Sequence, residues 1–182
     1  MRSKKKPGPL DESALYDYAI KMLGRRMRTV AELKHLMQPK VEASESGQVK
    51  VASVLNRLQQ RHYLDDTNYA ATYTRLRQEN EKFGRRRVAQ ELSRKGVNST
   101  LIRDALEQGY ENLSEEELAR KHLARKRIKP PTNDKESSRI VRLLLRAGFS
   151  TGVIFKVFKE WQISDKTLAT LETIEPEDQE SL

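Results

Sequence analysis

Apolar residues recur along this chain at helical spacing, and no stretch alternates as a strand would. Leu15, Ala19, Met22 and Leu23 fall at i, i+4, i+7 and i+8 with Tyr18 on the same face, which predicts a helix over 14–27. Thr29-Val-Ala-Glu32 has the form of a capping box, starting a second helix with Leu33, Leu36 and Met37 on one side. Residues 38–48 hold Pro39, two serines and Gly47 without an apolar period and predict a loop. A third helix over 49–62 turns Val51, Val54, Leu55 and Leu58 inward. Asp65 or Asp66 is placed to cap a helix over 67–83 whose inner face is Tyr69, Tyr73 and Leu76, and Gly84 breaks it. A short helix over 85–95 carries Val88 and Leu92, with Gly96 as a left-handed stop. Asn98 or Ser99 caps the next, through Leu101, Ile102, Ala105 and Leu106, and Gly109 ends it. Ser114-Glu-Glu-Glu117 opens a helix to about 128 with Leu118, Ala119 and Leu123, stopped by Pro130-Pro131. Ile140, Val141, Leu143, Leu144 and Leu145 give a helix over 134–147 that Gly148 stops. Ser150 caps the last, with Val153, Ile154, Val157, Phe158 and Trp161.

Two of these stretches read alike. Residues 94–106 align with 146–158 at an offset of 52, pairing Gly96 with Gly148, Val97 with Phe149, Ile102 with Ile154 and Leu106 with Phe158. The spacing of Leu15, Ala19 and Met22 recurs at Tyr69, Tyr73 and Leu76 with an offset of 54. The pattern predicts an all-α chain of three tandem three-helix units, forming an elongated, curved repeat array. The expected boundaries are a disordered basic arm at 1–12, units at 13–64, 65–110 and 111–162, and an acidic tail at 163–182. Such an array works by lying along a partner rather than by chemistry in a pocket.

Composition sharpens the partner. Of 182 residues 36% are hydrophobic and 34% charged, above the roughly 25% charged of an ordinary domain, and the formal net charge is +9. A field of that sign favours DNA, RNA or an acidic protein surface. The charge is also clustered. Arg85, Arg86, Arg87, Arg94, Lys95 and Arg103 stand against the single acid Glu91, and Arg120, Lys121, Arg125, Lys126, Arg127 and Lys129 stand against none. Arg139, Arg142 and Arg146 follow at helical spacing on roughly one face. Arginine suits bidentate contact with phosphate or carboxylate, and a row of bases can track a phosphate backbone.

Catalytic chemistry is missing from the pattern. Without cysteine there is no thiol nucleophile, disulfide or cysteine zinc site, which fits a reducing, cytoplasmic setting. His35, His62 and His122 have no metal-ligand spacing and read as surface or boundary residues. No phosphate-cradling glycine loop occurs, and Gly84-Arg85-Arg86-Arg87 is not one. Asp65-Asp66 is explained by capping without a metal. Tyr16 and Tyr110 do not by themselves make a stacking platform. No apolar run is long enough to span a membrane, and no secretory signal follows the basic start. The expectation is no enzyme, cofactor or metal.

Tyr63-Leu-Asp-Asp66, Tyr69-Ala70, Arg75, Gly84 with Arg86-Arg87-Val88, and Glu91-Leu92-Ser-Arg-Lys95-Gly96-Val97 resemble the RecX family, as does Leu144-Leu-Arg-Ala-Gly-Phe149 with Val153-Ile154. The likeness extends over about 14–161 and is most specific from the YLDD element to the R-x-x-x-E-L-x-x-K-G pattern at 87–96. One departure is residues 38–48, where family members have a short Lys-Gly-aromatic turn. The resemblance implies tandem three-helix bundles that regulate the bacterial recombinase RecA. It implies binding in the groove of the RecA–single-stranded-DNA filament, inhibition of ATPase and strand exchange, and DNA binding by some members. The partners implied are therefore the RecA filament and single-stranded or double-stranded DNA, met by a cytoplasmic monomer. The residues expected to make contact are Arg75, Arg77, Arg85, Arg86, Arg87, Arg94, Lys95, Arg120, Lys121, Arg125, Lys126, Arg127, Lys129, Arg139, Arg142 and Arg146. The competing expectation is a sequence-independent DNA binder, with a helix-turn-helix over 88–106; Asp104 and Glu107 on its second helix oppose duplex reading.

Overall fold

A computed structural model describes residues 8–161. Among them the protein is all-α, with nine α-helices and no strand: α1 Glu12–Leu23, α2 Val30–Met37, α3 Glu45–Gln60, α4 Asp66–Leu76, α5 Arg85–Arg94, α6 Ser99–Tyr110, α7 Glu115–Arg125, α8 Asp134–Arg146 and α9 Thr151–Glu160. The chain forms two compact units, one of residues up to 70 with 94–97, the other of 71–93 with 98 onward. The acidic tail expected at 163–182 lies outside the described residues.

In the first unit α1, α2 and α3 enclose Leu15, Ala19, Met22, Leu33, Met37, Val51, Val54, Leu55, Leu58 and Leu64. All but Leu64 are residues the 3.6-residue period turned inward, while Tyr18, Leu23 and Leu36, expected on the same faces, are partly buried. Within the stretch expected to be a disordered arm, the Leu10 amide donates to the Lys40 carbonyl at 2.7 Å and Asp11 caps α1. The expected loop at 38–48 is mostly helical. Gln38–Lys40 is a 3-10 turn, Ser44 accepts from the Gly47 amide, and α3 starts four residues before Val49. The apolar period missed this because the first turn of α3 is polar and makes its start through the Ser44 cap.

The second unit buries Val88, Leu92, Ile102, Tyr110, Leu118, Leu123, Ile140, Val141, Leu144, Phe149, Ile154, Val157 and Phe158. Gly84 does not end α4. The helix widens into a π turn at Arg77–Glu81, and Lys82 (φ 55°) takes the left-handed stop. Leu76, expected inside, is 43% exposed. Gly109 lies within α6, where its carbonyl accepts from Gln78 Nε2 at 2.6 Å and Thr74 packs against its Cα face. A side chain there would meet Thr74, so this glycine serves packing rather than termination. Gly96 and Gly148 do take positive φ, 74° and 90°.

Gly84 and Gly148 meet directly. The Gly84 amide donates to the Ala147 carbonyl at 2.8 Å, and the Arg86 amide to the Gly148 carbonyl at 3.3 Å. The last carbonyls of α8 thereby satisfy the first amides of α5, so each helix end supplies what the other lacks. Arg87 adds a bond from Nη1 to the Arg146 carbonyl at 3.0 Å. No side chain fits between: a Cβ on Gly84 would strike the Gly148 carbonyl, and one on Gly148 would strike the Arg87 backbone.

Candidate functional site

In the first unit Thr29 sits at a junction of capping interactions. Its Oγ1 accepts from the Glu32 amide at 3.0 Å and donates to the Lys95 carbonyl at 2.6 Å, and the side chain is fully buried. Asp65 accepts from the Asn68 amide at 3.0 Å, the expected cap of α4. Asp66 reaches elsewhere and accepts from the Val30 amide at 2.9 Å, at the start of α2. Both aspartates thus serve helix ends. No group of three or more metal-ligand residues is assembled among the described residues. Burial raises the Asp66 pKa, against the lowering influence of the Val30 amide, and Asp65 and Glu32 raise it further. Lys95 Nζ pairs with Glu32 at 3.1 Å.

Half of the sixteen basic residues expected to contact a partner carry a carboxylate of this chain. Glu91 holds two of them. Its Oε1 accepts from Arg87 Nε at 2.8 Å, and its Oε2 from the Tyr73 hydroxyl at 2.8 Å. Arg77 Nε is 3.0 Å from the same Oε2 but off the N–H axis, so that contact is ionic; Arg77 Nη2 instead donates to the Tyr73 hydroxyl at 2.8 Å. Burial alone would raise the Glu91 pKa. The bonds from Arg87 and Tyr73 and the two guanidinium charges outweigh it, and the net shift is downward. Arg85 faces Glu115 at 4.0 Å and donates from Nη2 to the Tyr110 carbonyl at 3.2 Å. Arg120 pairs with Glu160, Arg125 with Glu81, Arg75 with Glu79, Lys121 with Glu117, and Lys95 with Glu32 as above. The Arg87–Glu91 pair is four apart on α5 and was readable from sequence, but the Arg77–Glu91 and Arg125–Glu81 pairs were not, because they join different elements.

The other eight are exposed and make no ion pair among the described residues: Arg86, Arg94, Lys126, Arg127, Lys129, Arg139, Arg142 and Arg146. Seven belong to the second unit, and Arg94 belongs to the first. Lys126, Arg127 and Lys129 follow the end of α7, where Arg127 adopts φ 54°. Arg142 and Arg146 fold back along α8, donating from Nε to the carbonyls of Ser138 and Arg142, both at 3.2 Å. Their remaining guanidinium N–H groups are open to an anion. Arg86 follows the Gly84–Gly148 contact and so stands beside the C-terminal end of α8. Arg85 and Arg87 are tied into the fold, so only Arg86 of that triplet tests binding cleanly.

His122, expected at the surface or boundary, is buried. Its Nδ1–H donates to the Glu81 carbonyl at 2.9 Å, and Phe83 and Phe149 pack at 5.9 and 6.1 Å between ring centroids. The π turn of α4 delivers that carbonyl, which a helical period did not foresee. Burial lowers the His122 pKa below 6.5. The Glu81 carbonyl opposes the shift, and Lys126 and Arg125 reinforce it. The folded state therefore binds fewer protons than the unfolded state just below pH 6.5, and stability rises with pH there. Lowering the pH from 7 to 5 is expected to reduce the urea midpoint, the unfolding free energy falling by at most about 1.4 kcal/mol per pH unit for one proton. In His122→Phe this component of the slope disappears; an unchanged slope in that variant refutes the assignment.

Among the described residues no helix is long and apolar enough to cross a membrane. A family model described as RecX, second three-helix domain, matches residues 65–106, the stretch from the start of α4 into α6. The regulatory protein RecX of Oceanobacillus iheyensis is 29% identical over 84% of this chain and 55% of its own length, so this chain spans about half of that relative. The regulatory protein RecX of Leptothrix cholodnii is 33% identical over 78% of this chain and 85% of its own length. The crystal structure of RecX from Lactobacillus salivarius superposes with a TM-score of 0.66 at 24% identity, over 83% of this chain and 96% of that one, a likeness of fold. With the family model on the middle helices and a relative above 30% identity matched over most of its length, the chain belongs to the RecX family of regulatory proteins.

Proposed function

We propose that this chain is a non-catalytic cytoplasmic regulator that binds the RecA–single-stranded-DNA filament along its groove and inhibits ATP hydrolysis and strand exchange. Family membership supports a regulatory role, since the matched relatives are named regulatory proteins. The observation that carries the reading is the set of exposed bases without an internal carboxylate, above all Lys126, Arg127, Lys129, Arg139, Arg142 and Arg146. Exposed charges contribute little to stability, so folding alone does not account for leaving so many unbalanced. Each neutralised phosphate contributes through counterion release. Three repeated modules at 13–64, 65–110 and 111–162, working as a monomer, would let weak contacts add through effective concentration.

The test is DNA-dependent ATP hydrolysis by the recombinase with increasing amounts of this protein. Hydrolysis is expected to fall. Lys126→Ala/Lys129→Ala combined with Arg127→Ala is expected to raise the concentration required. The same variant should flatten the log–log salt dependence of filament binding by about 2, at roughly 0.7 per lost single-strand phosphate contact. Full hydrolysis at saturating protein removes the proposal. Equal binding to bare DNA and to filaments, without inhibition, moves the function to phosphate binding independent of the recombinase.

A further inference from the structure

The geometry points to a phosphate-binding site on the first unit, where Arg57 and Arg61 of α3 converge on Tyr16 of α1, taking the phosphodiester backbone of a single-stranded nucleic acid. None of the three is among the sixteen residues expected from sequence. The Arg57 guanidinium lies over the Tyr16 ring at 4.2 Å from its centroid, and that of Arg61 at 5.9 Å. Arg61 Nη1 also donates to the Tyr16 hydroxyl at 3.3 Å. Both arginines are exposed.

Three observations separate this cluster from an ordinary solvated face. First, two like charges share one ring, and neither has an ion pair among the described residues. Repulsion between guanidiniums so placed is relieved by an anion held by both. Second, Arg77, Arg85, Arg87 and Lys95 also lie over aromatic rings, and each of them has a carboxylate partner. Lys40 over Tyr18 has none either, but it is a single charge without a second cation on its ring. Third, the second unit contains the same helix pairing with its charges closed. There α7 and α9 run in parallel with Lys156 on Glu116 and Arg120 on Glu160. On α1 and α3 the first rung is Ser53 donating to Glu12 at 2.7 Å. The next, one turn on, has Tyr16 and two arginines where α7 and α9 have an ion pair.

The helix dipole accounts for one cation in the last turn of α3. It does not account for two guanidiniums drawn to one tyrosine. Stacking holds each planar fork in place while leaving N–H groups outward, which lowers the ordering cost when a phosphate arrives. Tyr16 is a positioning residue here and need not touch the ligand.

This inference does not depend on the recombinase. The probe is a fluorescein-labelled oligothymidylate, titrated over a range of salt with the full chain. Arg57→Gln/Arg61→Gln is expected to weaken binding and to flatten the log–log salt slope by about 1.4, two contacts at roughly 0.7 each. Tyr16→Leu keeps apolar cover and is expected to weaken binding with the slope unchanged, because the charges remain but are no longer held. Circular dichroism verifies that both variants fold. The site is overturned if the wild type does not bind the oligonucleotide, or if the arginine variant keeps wild-type slope and affinity. Weakening on recombinase filaments alone, with bare-strand binding intact, also overturns it by assigning the arginines to protein carboxylates. The ATP hydrolysis assay stands apart, so failure of the regulatory reading and failure of this site are told apart.

Discussion

Gly148→Ala is expected to destabilise the second unit by about 2–5 kcal/mol. The residue has φ 90°, where a Cβ costs about 1–2 kcal/mol. That Cβ would also lie within 3.0 Å of the Arg87 amide nitrogen, Cα and Cβ. Arg87 cannot simply yield, because its guanidinium is held by Glu91 and by the Arg146 carbonyl. Forced repacking adds about 1–3 kcal/mol, so the total is about 2–5 kcal/mol, against a whole-domain stability of about 5–15. The control is Gly152→Ala in α9, where an added Cβ meets nothing within 4 Å. That change is expected to be neutral or to stabilise by up to about 1 kcal/mol. Urea titrations of the two variants should therefore move in opposite directions. Gly148→Ala with a wild-type midpoint would remove the argument for glycine at the α5–α8 contact.

Thr29→Val is expected to be the largest single-atom effect in the first unit. Valine keeps the shape and removes the hydroxyl, which acts as acceptor for the Glu32 amide and donor to the Lys95 carbonyl. Losing an N-cap costs about 0.5–2 kcal/mol. Leaving a part-buried carbonyl without its donor adds about 1–3, for about 1.5–5 kcal/mol in all. Ser150→Ala is the comparison. Ser150 accepts from the Val153 amide at the start of α9, and a loss near 1 kcal/mol is expected. If the two variants lose equal stability in urea, the bond to Lys95 contributes nothing.

Helix identity was legible because the apolar period survives almost everywhere, and most of the buried core comes from residues it selected, although Leu76, also selected, is exposed. Capping chemistry marked Thr29, Ser114 and Ser150 as helix starts, and of the two candidates Asn98 and Ser99 the cap is Asn98. Apart from the polar start of α3, misread features were those whose cause lies in another element. Asp66 caps α2 across 36 residues, and Gly84 answers to Gly148 rather than to its own helix. Gly109 answers to Thr74, and His122 to a carbonyl exposed by a π turn. The basic clusters were legible as composition. Which bases this chain already neutralises was legible only in part, since Glu81, Glu91, Glu115 and Glu160 reach Arg125, Arg77, Arg85 and Arg120 from other elements. Arg57 and Arg61 escaped notice because their neighbourhood in sequence is mixed; only helix pairing brings them to Tyr16.

The bond from the Gly84 amide to the Ala147 carbonyl spans 63 residues of chain. During synthesis the stretch matched by the family model, 65–106, leaves the ribosome long before that acceptor does. Until residue 148 emerges, the Gly84 and Arg86 amides lack their acceptors at the end of α8. A nascent chain stalled between 110 and 148 is expected to show protease-sensitive α5, with protection arriving in one step once α8 is complete.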